Sequence, residues 1–269
     1  MSKKIHSSAI IGKNVKLADN IEIGAFSVID GNVEIGAGTK IQNNVTIVAC
    51  NKDSYIKIGK NNRFFPYCVI GLEPQDNKFI QEPSNVEIGE NNNIREFVTI
   101  NGGSNLGNVL AGTKNLTKIC NNCYLYISCH IAHDVFLEDN VTVTNYAGIS
   151  GHCKIGHDTI IGGLTGIHQF VNIGHNVMIG GTCAITQDVP PFAIVQGKPD
   201  RVAGANIIGL KRSKFKNEDI NLIMHFYKEI ANPDIKLATV LQKYTEINNN
   251  QVNEIIDFIK HKNKRSWLS

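Results

Sequence analysis

Residues 119–184 divide into eleven consecutive hexads, ICNNCY LYISCH IAHDVF LEDNVT VTNYAG ISGHCK IGHDTI IGGLTG IHQFVN IGHNVM IGGTCA, each opened by Ile, Leu or Val, and Ile185 opens a twelfth. The same frame stands earlier at Ile11, Leu17, Ile23, Ile29, Ile35, Ile41 and Ile47, and resumes at Ile58, Phe64 and Ile70 and at Ile88, Ile94 and Ile100. A strict period of six fits neither the 3.6 of a helix nor the alternation of a long strand. It fits a solenoid of short strands, each placing one aliphatic side chain inward before the chain turns, with three hexads closing a triangular coil. Gly or Asn/Asp near the corners, as in Ile23-Gly24, Ile35-Gly36, Ile155-Gly156 and Ile173-Gly174, gives the turns backbone freedom. Strand side chains alternate, so the position two before each aliphatic also points inward and has to be small. Cys68, Cys123, Cys129, Cys153 and Cys183 occupy that slot and read as core filling.

Two polar, irregular segments, 71–84 and 102–116, leave the frame and are expected to be loops. Past Asp188-Val-Pro-Pro the hexads stop and a helical pattern begins. Asn217 is expected to cap a helix through Ile220, Met224 and Tyr227; Asp234 precedes a second, and a third surrounds Val252, Ile255 and Ile259. The expected organisation is a solenoid over 1–190 and a linker with a small helical domain over 191–269, the latter covering an open coil edge.

Composition agrees with short stacked strands, since only 19% of residues are charged and 7% aromatic while Gly is plentiful. The start, Met1-Ser-Lys-Lys-Ile-His-Ser-Ser, has no apolar run behind its basic residues. A cytoplasmic protein without signal peptide or membrane span is therefore expected. Seven cysteines make no extracellular framework, and Cys120-Asn-Asn-Cys123 lacks the second pair of a zinc ribbon. The net charge of +3 is unevenly placed: residues 190–269 hold 13 Lys and Arg against 8 Asp and Glu. A basic tail suits an acidic protein partner, although solvated surface lysines would look the same. No nucleic-acid partner is expected.

Residues 18 apart stack on adjacent coils separated by about 4.8 Å. From His133 this step reaches Gly151, beside His152, and then Gln169, beside His168, so histidines line one edge over roughly 10 Å. His130, one before Ile131, is expected to point outward from the adjoining face. Imidazole is the usual general base near neutral pH. The edge could instead be tolerated surface polarity on an inactive scaffold. It could also be a zinc site, but His152 and His157 lie on different edges and only a neighbouring subunit could bring such ligands together.

Several strings narrow the field: Gln75-Asp76-Asn77-Lys78, Ile94-Arg95-Glu96 with Val98-Thr99-Ile100, His130-Ile-Ala-His133-Asp134, Gly151-His152, Gly166-Ile-His168-Gln169-Phe170, Gln187-Asp-Val-Pro-Pro191, and Asn206 through Gly209-Leu-Lys-Arg212. Together they resemble the bacterial acyl carrier protein-dependent UDP-N-acetylglucosamine O-acyltransferases over essentially the whole chain. The resemblance implies a left-handed parallel β-helix followed by a small α-helical C-terminal domain. It implies transfer of an (R)-3-hydroxyacyl group from acyl carrier protein to the sugar 3-hydroxyl, the first step of lipid A biosynthesis, with no cofactor and no metal. By the same resemblance His133 is the base, Asp134 orients it, and Gly151 offers an N–H to the oxyanion. Asp76, Lys78, His130, His152, His168 and Gln169 match positions around the sugar and acyl chain, Asn206 and Arg212 match positions near the uridine diphosphate, and Gly181 matches the position limiting acyl length. An edge open to solvent would need another surface to complete it, and Gly181 lies on a different edge from His133. A homotrimer with sites between subunits, as the family implies, meets both needs.

Two positions depart from the family pattern: Ile208, commonly acidic, and Ser213, often a second arginine. Both concern nucleotide binding rather than acyl chemistry. The later acyltransferase of the same pathway, acting on an amino group, carries a leading domain for which hexads beginning by Ile11 leave no room. Acetyl-CoA-dependent hexapeptide enzymes lack the pairing of His-Ile-Ala-His-Asp with Gln-Asp-x-Lys, and a zinc solenoid of the gamma carbonic anhydrase type is the hydration alternative. The acidic acyl carrier is expected to meet Lys198, Arg201, Lys211, Arg212, Lys214 and Lys216.

Overall fold

Each hexad aliphatic lies in a strand of two to four residues, such as His130–Ile131, Gly148–Ile149 and Gly166–Ile167. In the computed structural model, which describes residues 3–197, 200–247, 249–261 and 265–268, every third strand pairs in parallel to build three sheets of 11, 9 and 8 strands. We number these faces in chain order from Lys4–Ile5, Ile10–Ile11 and Lys16–Leu17. The expected 18-residue step is visible in the second face, where His130, Gly148, Gly166 and Ala184 stand in one column. The result is a left-handed parallel β-helix. Its axis is filled by the hexad aliphatics, buried almost without exception, and by the five cysteines assigned to the second inward slot. All seven cysteines are free. Burial pushes the thiols of Cys68, Cys123, Cys129 and Cys153 up to about 12, so they fill space rather than react.

The corners differ in composition. Between the third and first faces the left-handed backbone position is held by Asn20, Asn61, Asn91, Asn122, Asn140, Asp158 and Asn176, residues that tolerate it. Between the first and second faces the same conformation is imposed on Phe26, Tyr67, Phe97, Tyr146 and Leu164. These side chains are exposed, and Tyr67 and Phe97 stack with ring centroids 5.0 Å apart. At these five coils the small or polar corner residues expected from the repeat are replaced by bulky apolar ones, while Asn44, Ser128 and Thr182 keep a polar residue at the same corner.

The strand Ala193–Gln196 still pairs in parallel with Met178–Ile179. Arg201–Ala205 then folds back antiparallel upon it, covering the open edge of the first face. Four helices follow: α1 (Ile207–Arg212), α2 (Asn217–Ile230), α3 (Leu237–Ile247) and α4 (Asn250–Lys260). The apolar side of α2, through Ile220, Ile223, Phe226 and Tyr227, is buried, and the Tyr227 hydroxyl donates to the Pro191 carbonyl. Two boundaries differ from expectation. Asn217 is the first residue of α2 and Lys216 is its cap, without a side-chain bond; α3 begins at Leu237, three residues beyond Asp234. The short helix α1 was not expected at all.

Candidate active site

His133 and Asp134 form the corner between the second and third faces, where Asp134 adopts φ 59°. Directly stacked on them are Gly151 and His152, then Gln169 and Phe170, with His152 and Phe170 in the same left-handed conformation. Around its first two coils the edge is not open to solvent as expected: His133, Asp134 and His152 are only 7%, 0% and 3% exposed, whereas His168 and Gln169, one coil on, are exposed. The cover is the loop between Asn101 and Leu116. Ser104 donates from its N–H to Asp134 Oδ1 at 2.8 Å and from its hydroxyl to Oδ2 at 2.6 Å. Asn108 Nδ2 donates to the carbonyls of Asp134 and Cys153 at 2.8 and 2.9 Å. The loop thus binds two coils and satisfies a carboxylate that would otherwise be buried at large cost.

Asp134 Oδ2 also lies 2.8 Å from His133 Nδ1. With the carboxylate accepting, Nδ1 carries the proton and the lone pair of the neutral ring resides on Nε2. The imidazole lies against Gly151: a Cβ there would stand 2.6 Å from its Cε1. His152 Nδ1 is 2.8 Å from the Gly107 carbonyl. Its ring stacks on Phe170 at 4.4 Å and meets His133 edge-on at 4.9 Å. His152 is therefore a wall that fixes the His133 ring from behind.

His133 opens onto a cavity of about 530 Å³ that also touches Gln75, His130, Gly151, His168 and Gln169. His130 is partly buried on the second face, with Nδ1 2.7 Å from Thr99 Oγ1. Burial, and then the neighbouring His133, hold it below the ordinary histidine value of 6.5. Below it the column continues as Gly148 and Gly166, where a Cβ would meet nothing within 4 Å, so this face offers bare backbone. A larger depression of about 800 Å³ lies along the third face. It is lined by an alternating ladder of Lys16, Glu34, Lys57, Glu87 and Lys118, whose charges pair with one another, as in Lys16–Glu34 at 2.6 Å. The Cys120 thiol on its lining is pushed up by burial and stays protonated.

The structure therefore gathers His130, His133, Gly151, His168 and Gln169 around one cavity, with Asp134 and His152 behind them. Asp76 and Lys78 stay in the loop after Leu72, where Asp76 Oδ1 accepts from the Lys78 N–H; only their neighbour Gln75 reaches the cavity. Gly181 lies on the corner between the first and second faces. Asn206 caps α1 through the Gly209 N–H and donates to the Asn176 carbonyl, while Arg212 ends that helix, exposed. Arg201, Lys211, Lys214 and Lys216 are exposed as well; Lys198 lies outside the described residues. Sequence reasoning missed Ser104 and Asn108, which share no period with the coils they bind. For Gln75 the signal was its place in the quoted Gln-Asp-x-Lys string.

One nitrogen or oxygen from each of His133, Asp134 and His152 lies within 4.8 Å of the others, a spacing a metal could use. Asp134 already accepts from Ser104 twice and from His133. A metal would have to displace those donors.

Fold and site together define a hexapeptide-repeat solenoid of the acyltransferase class. Residues 188–268 match the family described as Udp N-acetylglucosamine O-acyltransferase, domain 2. The acyl-[acyl-carrier-protein]–UDP-N-acetylglucosamine O-acyltransferase of Aliarcobacter butzleri is 40% identical over 256 residues, 95% of this chain and 94% of that one. The enzyme of the same name from Thiobacillus denitrificans is 36% identical over 262 residues, 95% of each chain. Among solved structures, the UDP-N-acetylglucosamine acyltransferase of Campylobacter jejuni superposes with TM-score 0.87 at 32% identity, covering 98% of this chain and 99% of that one. That of Francisella novicida gives TM-score 0.88 at 32% identity, covering 98% and 93%. The chain belongs to the UDP-N-acetylglucosamine O-acyltransferase family. Among the described residues no helix is long and apolar enough to cross a membrane.

Proposed function

We propose that this chain transfers an (R)-3-hydroxyacyl group from acyl carrier protein to the 3-hydroxyl of UDP-N-acetylglucosamine, the first step of lipid A biosynthesis, with His133 as general base. The observation that carries this reading is the His133 imidazole, held at Nδ1 by buried Asp134 and laid against Gly151 on the cavity wall. A sugar hydroxyl attacks a thioester only if its proton is removed as the C–O bond forms. Nε2 takes that proton, and Asp134 steadies the resulting imidazolium. The Gly151 N–H, which has no acceptor among the described residues, is the donor for the oxyanion. Collapse of the tetrahedral intermediate breaks the C–S bond, and the imidazolium returns its proton to the departing thiolate. His130, His168 and Gln169 position sugar and acyl chain around this centre, and His152, matched to a substrate position, acts on them through the His133 ring it holds from behind.

Gly181, Asn206 and Arg212 then act from a neighbouring copy in a homotrimer, Gly181 limiting acyl length and Asn206 and Arg212 lying near the uridine diphosphate, while Asp76 and Lys78 meet sugar and acyl chain from the loop that brings Gln75 to the cavity. The corner of Phe26, Tyr67, Phe97, Tyr146 and Leu164 supports assembly, because exposed apolar side chains on strained backbone are doubly unfavourable in a monomer. Seven free cysteines suit the reducing cytoplasm. The deciding experiment incubates the protein with UDP-N-acetylglucosamine and 3-hydroxyacyl carrier proteins of several lengths. An O-acylated sugar nucleotide is expected; no product with any carrier would end the proposal.

A further inference from the structure

The last described residues return from the helices to the solenoid. Asp188 N–H donates to the Ser266 carbonyl at 2.9 Å, Leu268 N–H donates to the Asp188 carbonyl at 2.6 Å, and Gln187 Nε2 donates to Ser266 Oγ at 2.7 Å. Leu268 is buried. Pinned in this way, the tail lays Arg265 along the lip of the cavity, where its guanidinium meets three groups. Nε donates to the Gln169 carbonyl at 2.8 Å, Nη1 donates to the Thr186 carbonyl at 2.7 Å, and Nη2 lies 2.5 Å from His168 Nδ1. Thr186 and His168 are one coil apart, so a single side chain spans two coils.

A guanidinium only donates, and it stays protonated in proteins. His168 Nδ1 must therefore accept from it, and the single proton of the neutral ring sits on Nε2. Without Arg265 the opposite tautomer has a partner of its own, because the Gln169 carbonyl lies 3.3 Å from Nδ1. Arg265 Nε occupies that carbonyl while Nη2 occupies Nδ1, and both contacts favour the same state. We propose that Arg265 is a positioning residue that sets the tautomer of His168, so that an Nε2–H donor faces an oxygen of the bound sugar or acyl group. The inference rests on the transfer reading above for what the donor meets, but the tautomer itself does not.

The test compares wild type, Arg265→Ala, Arg265→Lys, His168→Ala and the double Ala variant. In protein labelled with ¹⁵N-histidine, the His168 signal is assigned by its loss in His168→Ala. Wild type is expected to show the Nε2–H form, Arg265→Ala to gain the Nδ1–H form, and Arg265→Lys to restore the original at least in part. A signal unchanged by Arg265→Ala overturns the proposal. In turnover, Arg265→Ala is expected to raise KM on the order of tenfold, as one lost hydrogen bond would, with kcat within about threefold. Adding Arg265→Ala to His168→Ala should do no further harm, whereas a merely structural tail contact would lower Tm and give additive losses. Additive losses would refute the assignment. If wild type transfers no acyl group, the functional reading falls and the tautomer measurement still decides the role of Arg265.

Discussion

Gly151→Ala is expected to disable the enzyme by moving one ring. The added Cβ would stand 2.6 Å from His133 Cε1 and 2.7 Å from Nε2. Carbon contacts prefer about 3.5–4.0 Å, so the imidazole has to retreat by about 1 Å. The coil itself makes no demand for glycine here: the corresponding corner positions one coil to either side carry His133 and Gln169, and Gly151 is not among the glycines with positive φ. A misplacement of about 1 Å at a reacting group typically removes 10²-fold of the rate. The same shift strains the 2.8 Å bond from Nδ1 to Asp134, worth about 0.5–1.5 kcal/mol net. Steady-state kcat at saturating UDP-N-acetylglucosamine and 3-hydroxyacyl carrier should therefore fall about a hundredfold. The thermal midpoint should fall only by a few degrees. A kcat within about threefold of wild type would show that the ring is not held for catalysis at this contact, and the assignment of the base would go with it.

His133→Ala is expected to lose about 10²- to 10⁴-fold in turnover. Because His133 is buried and bonded to a fully buried carboxylate, it should also lose about 1–3 kcal/mol of stability; retained activity would mean that another group is the base. Ser104→Ala removes one of the donors to Asp134 and should destabilise by about 1–3 kcal/mol while lowering kcat, which denaturant titration and turnover measure together; a neutral result on both would detach the loop from the site. His130 is held below 6.5 in the folded state, so under acid conditions the unfolded chain binds the extra proton first. Its stabilising contribution is intact above pH 6.5 and is lost as pH falls through the lowered value. His130→Gln should therefore flatten the acid slope of Tm relative to wild type, and parallel slopes would contradict the assignment.

The fold was legible because a solenoid repeats one local rule: an inward aliphatic every six residues forces a turn, and stacking makes distance along the axis a matter of counting by 18. That counting placed His133, Gly151 and Gln169 in one column. It failed wherever the chain left the coil. Ser104 and Asn108 reach Asp134 across 30 and 26 residues, through a loop whose path no periodicity encodes, and so the edge read as open where, around His133 and His152, it is closed. Arg265 meets His168 across 97 residues, from a tail whose return depends on buried Leu268. The apolar corner was in frame all along, since Tyr146 and Leu164 stand 18 apart, but corner chemistry favours polar residues and the exception carried its meaning only once the side chains were seen to be exposed. The proposed base therefore depends on both kinds of information. Period places His133 beside Gly151, but only the aperiodic loop buries and satisfies Asp134, and an imidazole whose partner were still solvated would be a surface histidine with no fixed tautomer.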